Sequence, residues 1–180
     1  MAFTNQFFTA DTHFGHALML QNRPFSSTDE MDRALIDSWN AVVKDHDIVW
    51  HLGDFSYHDE ARTKSIFDQL KGRKRLVIGN HDIDNRGNVR KSLAGLAWDQ
   101  PPVHYAETKQ EGERVILHHY SMRVWAASHH GSWHFFGHSH GRLPAHGRSR
   151  DVGVDCPDTG YAPCSFWHLT QNMLDDEVFA

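Results

Sequence analysis

The stretch "VIGNHDI", residues 77–83, ends an apolar run and then sets out an amide, an imidazole and a carboxylate in a row. Val77 and Ile78 have the character of a buried strand end, and Ile83 returns to it. Gly79 permits a sharp turn, but an ordinary turn has no need of Asn80, His81 and Asp82 in succession. The stretch reads as a strand that leaves the core and delivers polar groups at its edge. Other strands of the chain should then do the same.

They do. Phe7 to Ala10 reads as a short buried strand that stops at Asp11-Thr12-His13, and the apolar run Ile48 to Leu52 stops at Gly53-Asp54. Arg114 to Leu117, paired in a hairpin with Val103 to Ala106 around Gly112, stops at His118-His119-Tyr120. Trp133 to Phe136 stops at Gly137-His138-Ser139-His140-Gly141, where a strand-like alternation would put both imidazoles on one side. Each cluster alone is an ordinary turn, cap or polar pair. Five after five apolar runs read jointly as a metal site, because ligands at strand ends collect above one edge of a sheet.

Helices fill the intervals. Ser27-Thr28-Asp29-Glu30 resembles a capping box, opening a helix to about Lys44 with Met31, Leu35, Trp39 and Val42 on one stripe. A second helix through Ile66, Phe67 and Leu70 is closed by Lys71-Gly72, and a weaker one spans about 89–96. The tail suggests a strand near Val152 and a helix from Ser165 to Leu174. Strand–helix alternation followed by hairpins predicts mixed α and β layers in one domain, residues 1–180.

Composition excludes several alternatives. At 180 residues the chain can bury a sizeable core. Its net charge of −5 gives no global pull toward nucleic acid or an anionic membrane. Cys156 and Cys164 match no zinc spacing and no disulfide framework. No apolar run approaches a membrane span, and MAFTNQFFTA lacks the features of a signal peptide, so the cytoplasm is the expected location. Sixteen histidines are the real deviation. Imidazoles and carboxylates with an Asn carbonyl and no thiolate suit Mn, Fe, Co, Ni or Zn. The candidates are too many for one ion; about seven, one of them shared, would hold two ions roughly 3.5–4 Å apart.

At this point the motifs Asp11-x-His13, Gly53-Asp54, Gly79-Asn80-His81-Asp82, a strand-end His and Gly137-His138-x-His140 resemble the calcineurin-like metallophosphoesterases, in particular their small, cap-less bacterial and phage members. The resemblance covers residues 8 to 141 and implies a four-layer α/β/β/α sandwich with a binuclear centre at one end. It implies that Asp11, His13, Asp54 and His140 hold one ion, and that Asp54, Asn80, His138 and a strand-end His hold the other. Leu117-His118-His119-Tyr120 favours His119 for that last place, with His118 as the fallback. His81 would be the catalytic histidine, and Mn is the first expectation for the metal.

The mechanism expected is phosphoester hydrolysis by a water held between the ions, with His81 protonating the departing oxygen. The family's protein phosphatases follow Gly-Asp with an Asp and a phosphate-binding Arg. Here Phe55-Ser56-Tyr57-His58-Asp59 follows instead, which leaves the partner of His81 open among Asp82, His58 and Tyr57. Arg23, Arg123 and Arg142 lie near motif positions as phosphate-gripping candidates, Arg23 and Arg142 foremost. Trp125 and Trp133 are candidates for stacking a base. The basic stretch 71–75 reads as a helix-to-strand connection. The small architecture favours phosphodiesters of nucleotides or nucleic acid. Phosphomonoesters of small molecules or phosphoproteins are the alternative, and a scaffold that kept the fold without the chemistry is the non-enzymatic one. No membrane and no obligate protein partner are expected.

Overall fold

The computed structural model describes residues 4–173. The strand in front of the opening motif is β3 (Arg73–Leu76), and it lies at the edge of a sheet ordered β3-β2-β1-β8, with β1 at Gln6–Thr9, β2 at Ile48–His51 and β8 at Cys164–Ser165. β1, β2 and β3 run parallel in register, Thr9 opposite His51 and His51 opposite Leu76. Their C-terminal ends therefore finish level with one another. Those ends carry Asp11, Asp54 and Asn80 in turn.

A second sheet, ordered β4-β5-β6-β7, packs face to face on the first. β4 (Tyr105–Gln110) and β5 (Glu113–His118) form the expected hairpin. Its two-residue loop, Glu111-Gly112, has both residues at positive φ, +54° and +88°, which matches the right-handed twist of the flanking strands. β6 (Trp133–Phe136) and β7 (Ser149–Asp151) continue parallel to β5. Between the sheets Phe8, Trp50, Leu52, Val115, Leu117, Trp133 and Phe135 form one core.

The two sheets converge where the ligands emerge. Ala10 bridges Gly153 just beyond β7, and Val77 bridges Val103 just before β4. The outer face of the first sheet is covered by α1 (Thr28–Val42), α2 (Glu60–Gln69) and the short α3 (Lys91–Ala94), through Met31, Leu35, Trp39, Ile66, Phe67 and Leu93. α1 starts as predicted: the Ser27 hydroxyl accepts from the Glu30 N–H. The Glu30 carboxylate returns to the Ser26 N–H, one residue upstream of the usual capping-box partner. The outer face of the second sheet, with His134 and Phe136, is covered by the segment 120–132 through Met122 and Trp125. α4 (Phe166–Thr170) is capped by Ser165; residue 174 of the predicted tail helix lies outside the described residues.

Three expectations need correction. Arg73, Lys74 and Arg75 are not a connection but β3 itself; Arg73 and Arg75 pair with Asp99, and the buried Lys74 sets its ammonium over the Phe67 ring and donates to the Leu70 carbonyl. Charges on an edge strand block further strand pairing. Trp133 is packed between the sheets against Phe166, and Trp125 lies under its own loop with its N–H on the Ser132 carbonyl. Neither indole is presented to a base.

Candidate metal centre

Asp11, His13, Asp54, His138 and His140 all have left-handed backbones, with φ between +49° and +65°. Such a conformation costs a non-glycine residue about 1–2 kcal/mol, and strain of this kind collects at functional sites. The segment His138-Ser139-His140 is therefore not strand-like, but both rings still reach the site. His138 joins the group Asp54–His119–His138 and His140 the group Asp11–His13–His140, each with its ligand atoms within 4.8 Å of one another, while the Ser139 hydroxyl turns to Asp151.

Asp54 stands between the groups. Its Oδ2 is 3.6 Å from His13 Nε2 and 3.6 Å from His119 Nε2. Its Oδ1 accepts the His81 backbone N–H at 2.8 Å. Asn80 Oδ1 is 3.0 Å from His119 Nε2. Close approach of the loops depends on glycine: a Cβ at Gly79 would sit 2.6 Å from the Asp54 nitrogen, and one at Gly53 would sit 2.7 Å from the Gly79 Cα.

His119 is fully buried, whereas the His118 ring turns outward to the Tyr120 backbone. Strand alternation accounts for the choice, since Val115 and Leu117 face the core and His119 follows them at the next step of two. The His119 Nδ1–H donates to the Leu52 carbonyl at 2.7 Å, so Nε2 carries the lone pair toward Asp54. Likewise His140 Nδ1 lies 2.7 Å from Asp155 Oδ2 and leaves Nε2 free. Supports of this kind fix tautomer and ring orientation in metal sites.

The donor set fits cations. Asp11 Oδ1 and both ring nitrogens of His13 are buried without a hydrogen-bond partner, an arrangement that is costly unless a ligand uses them. Burial and the nearby Asp151 and Asp54 carboxylates push the Asp11 carboxyl well above its usual range. Burial, reinforced by the His140 ring, pushes His13 down to about 2, and burial takes His119 down to about 4. Both imidazoles are therefore neutral at physiological pH, the form that binds metal. Asp11 keeps its place by accepting the His138 N–H through Oδ2 at 2.8 Å.

His81 lies beside this pair of groups, its ring 5.5 Å from that of His13 and half-buried. Its Nδ1 is hydrogen-bonded to the Tyr57 hydroxyl. The Tyr57 ring is in turn stacked on His16, centroids 3.6 Å apart and nearly parallel. Of the three partners left open by the sequence, Tyr57 is the one in contact. Asp82 instead accepts the backbone N–H groups of Asp54, Phe55 and Gly79, and His58 pairs with Asp32 at 2.6 Å.

Arg23 is another correction. It is 3% exposed and donates to both Asp155 oxygens and to the carbonyls of Asp11 and Thr12. With its guanidinium so engaged beneath the site, it braces the Asp155–His140 pair rather than gripping phosphate. Arg142 is exposed and lines a cavity beside His140; Arg123 lies away from the ligands, in an apolar pocket with Met122, Trp125 and Phe136. Sequence reasoning missed Asp155, His16 and Asp151, whose carboxylate holds Ser139 and the Gly141 and Gly153 N–H groups. Asp151 ends the short strand β7, whose three residues carry no apolar run to mark it, and His16 and Asp155 lie a few residues past their strand ends.

The sequence model of the calcineurin-like phosphoesterase domain matches residues 7–112, which include Asp11, His13, Asp54, Asn80 and His81. An uncharacterised protein of Methanocaldococcus jannaschii is 40% identical over 86 residues, covering 46% of this chain and 49% of that one. The gene 66 protein of Mycobacterium phage L5 is 38% identical over 103 residues, covering 53% and 48%. The chain thus spans about half the length of the curated relatives it matches. A protein of unknown function from Aquifex aeolicus shares the fold, with a TM-score of 0.69 over 94% of this chain and 99% of that one at 23% identity.

Proposed function

This chain belongs to the calcineurin-like phosphoesterase family, and we propose that it is a metal-dependent phosphodiesterase acting on nucleotide or nucleic-acid phosphoesters. One cation is held by Asp11, His13, His140 and Asp54, the other by Asp54, Asn80, His119 and His138. The observation that carries this reading is the position of Asp54 Oδ2, equidistant at 3.6 Å from an imidazole of each group. Manganese is the first expectation from the family resemblance, and Fe, Zn, Co or Ni also suit these imidazoles and carboxylates. When bound, the pair supplies Lewis acidity that lowers the pKa of coordinated water and neutralises phosphate oxygens.

The remaining work falls to side chains. Tyr57 donates its O–H to His81 Nδ1, which leaves the proton on Nε2 for the departing oxygen. Proton delivery of this kind contributes about 10²–10⁴-fold. The His16 ring holds Tyr57 in plane, so the phenol acts as a positioning residue. Asp155, braced by Arg23, aims His140 in the same sense. His138 and Tyr120 are exposed at the mouth; such an open face admits an extended strand and favours diesters over the phosphomonoester alternative.

The test is hydrolysis of an aryl phosphodiester and an aryl phosphomonoester after chelation, with Mn, Fe, Co, Ni and Zn restored singly. Metal-dependent turnover that favours the diester and is abolished in His81→Ala, with metal binding retained, is the expected result. Turnover that survives His81→Ala would overturn its role. Metal binding without turnover of either ester would favour a scaffold.

A further inference from the structure

Beside His140 lies a cavity of about 340 Å³, lined by Met19, Asn22, His140, Arg142, Asp155 and Tyr161. It shares His140 with the metal centre, so a substrate whose phosphate is held there reaches the cavity with its next group. The charge of the lining follows from its hydrogen bonds. Asp155, the one carboxylate, takes two bonds from Arg23 and one from His140. Its charge is thereby compensated from beneath. Arg142 lies two residues beyond His140, and its guanidinium enters no hydrogen bond or ion pair among the described residues. The Asn22 amide and the Tyr161 hydroxyl are likewise uncommitted donors, and Met19 supplies an apolar wall.

Tyr161 adds an independent observation. Its φ is +62°, a conformation unfavourable for a side chain with a Cβ, and its ring is held against Phe25 at 5.4 Å. A strained aromatic residue on a cavity wall next to a reaction centre marks a place where position matters. A guanidinium, an amide and a phenol, with no free acceptor charge among them, are the donor set for an oxyanion.

Resting on the phosphodiesterase reading above, we propose that this cavity binds a second, non-reacting phosphoryl group of the substrate, with Arg142 as its principal partner and Tyr161 and Asn22 as hydrogen-bond donors. The enzyme then discriminates among diesters by the phosphate one sugar away from the scissile bond. That phosphate is either a terminal monoester or an internal link of a strand.

Three esters separate these sources: thymidine 5′-(4-nitrophenyl phosphate) with a free 3′-hydroxyl, with a 3′-phosphate, and with a 3′-(methyl phosphate). The expected result is a KM about tenfold lower for at least one 3′-phosphorylated ester than for the 3′-hydroxyl ester, the size of one charge-assisted contact. A gain with the 3′-phosphate alone assigns a terminal monoester, and an equal gain with both assigns a strand. Arg142→Gln removes the difference, and Tyr161→Phe reduces it. Equal KM values for all three esters in the wild type, or a difference that persists in Arg142→Gln, would overturn the proposal. A second readout does not depend on turnover: calorimetry of thymidine 3′,5′-bisphosphate against thymidine 5′-monophosphate with Mn present. If no ester is cleaved, the phosphodiesterase reading fails. The cavity assignment then stands or falls on whether the bisphosphate binds more tightly to wild type and loses that advantage in Arg142→Gln.

Discussion

Replacing Asp82 by asparagine changes one carboxylate oxygen to an amino group at a point where three buried backbone N–H groups converge. Asp82 Oδ2 accepts from Asp54 and Gly79 at 2.8 Å each, and Oδ1 accepts from Phe55 at 2.9 Å. The amide keeps two of these bonds if its oxygen takes the Oδ2 position, and it then points N–H at the Phe55 N–H. One buried donor is left unpaired, which costs about 1–3 kcal/mol. The remaining bonds lose their charge assistance. Part of this is offset, because burial raises the Asp82 pKa and removal of the charge relieves that penalty. The net destabilisation is about 2 kcal/mol, read by urea unfolding of the chelated protein. The same carboxylate ties the Asp54 turn to the Gly79-Asn80 turn, so Mn affinity should fall about 10–100-fold, the usual effect of losing a support for metal ligands. A variant destabilised as expected but with wild-type Mn affinity would refute the claim that Asp82 positions the ligands.

Tyr57→Phe removes the hydroxyl on His81 Nδ1; its rate loss should be large for an alkyl leaving group and small for 4-nitrophenolate, and an equal loss for both would show a merely structural role. Gly79→Ala puts a Cβ 2.6 Å from the Asp54 nitrogen, so metal titration of the folded variant should show at least a tenfold weaker site. Without metal, the raised Asp11 pKa makes the fold lose stability as pH climbs from about its ordinary 3.8 through the raised value. The depressed His13 pKa makes it lose stability as pH falls from 6.5 toward about 2. Cations relieve the Asp11 penalty and compete with protons for the imidazoles, so calorimetry should find a larger Mn-induced rise in Tm at pH 7.5 than at pH 5; a larger rise at pH 5 would contradict these assignments.

The legible part of the site was its inventory. Strand ends can be read from where apolar runs stop, and Asp11, His13, Asp54, Asn80, His119, His138 and His140 all lie there and converge in space. The two-residue alternation through Val115 and Leu117 already contains the choice of His119 over His118. What could not be read was backbone handedness. Five of these residues adopt positive φ that no local sequence rule demands of Asp or His. Tertiary partners were equally hidden. Arg23 meets Asp155 across 132 positions, so an arginine that looked available for phosphate is consumed by a carboxylate from another part of the chain. Lys74 and its neighbours looked like a connection because charges usually mark loops, yet an edge strand tolerates them. The indoles of Trp125 and Trp133 were beyond local reading as well, since only the sheet packing decides whether an aromatic faces the core or the site.

In the proposed centre Asp54 joins two ligand groups, Asp11–His13–His140 and Asp54–His119–His138, into one binuclear site. Mn titration followed by electron paramagnetic resonance tests it most directly, because two ions sharing a carboxylate are magnetically coupled. Two Mn per chain with a coupled spectrum are expected, and in Asp54→Ala either weakened binding or two isolated signals. A single ion per chain, or two uncoupled ions in the wild type, would contradict it.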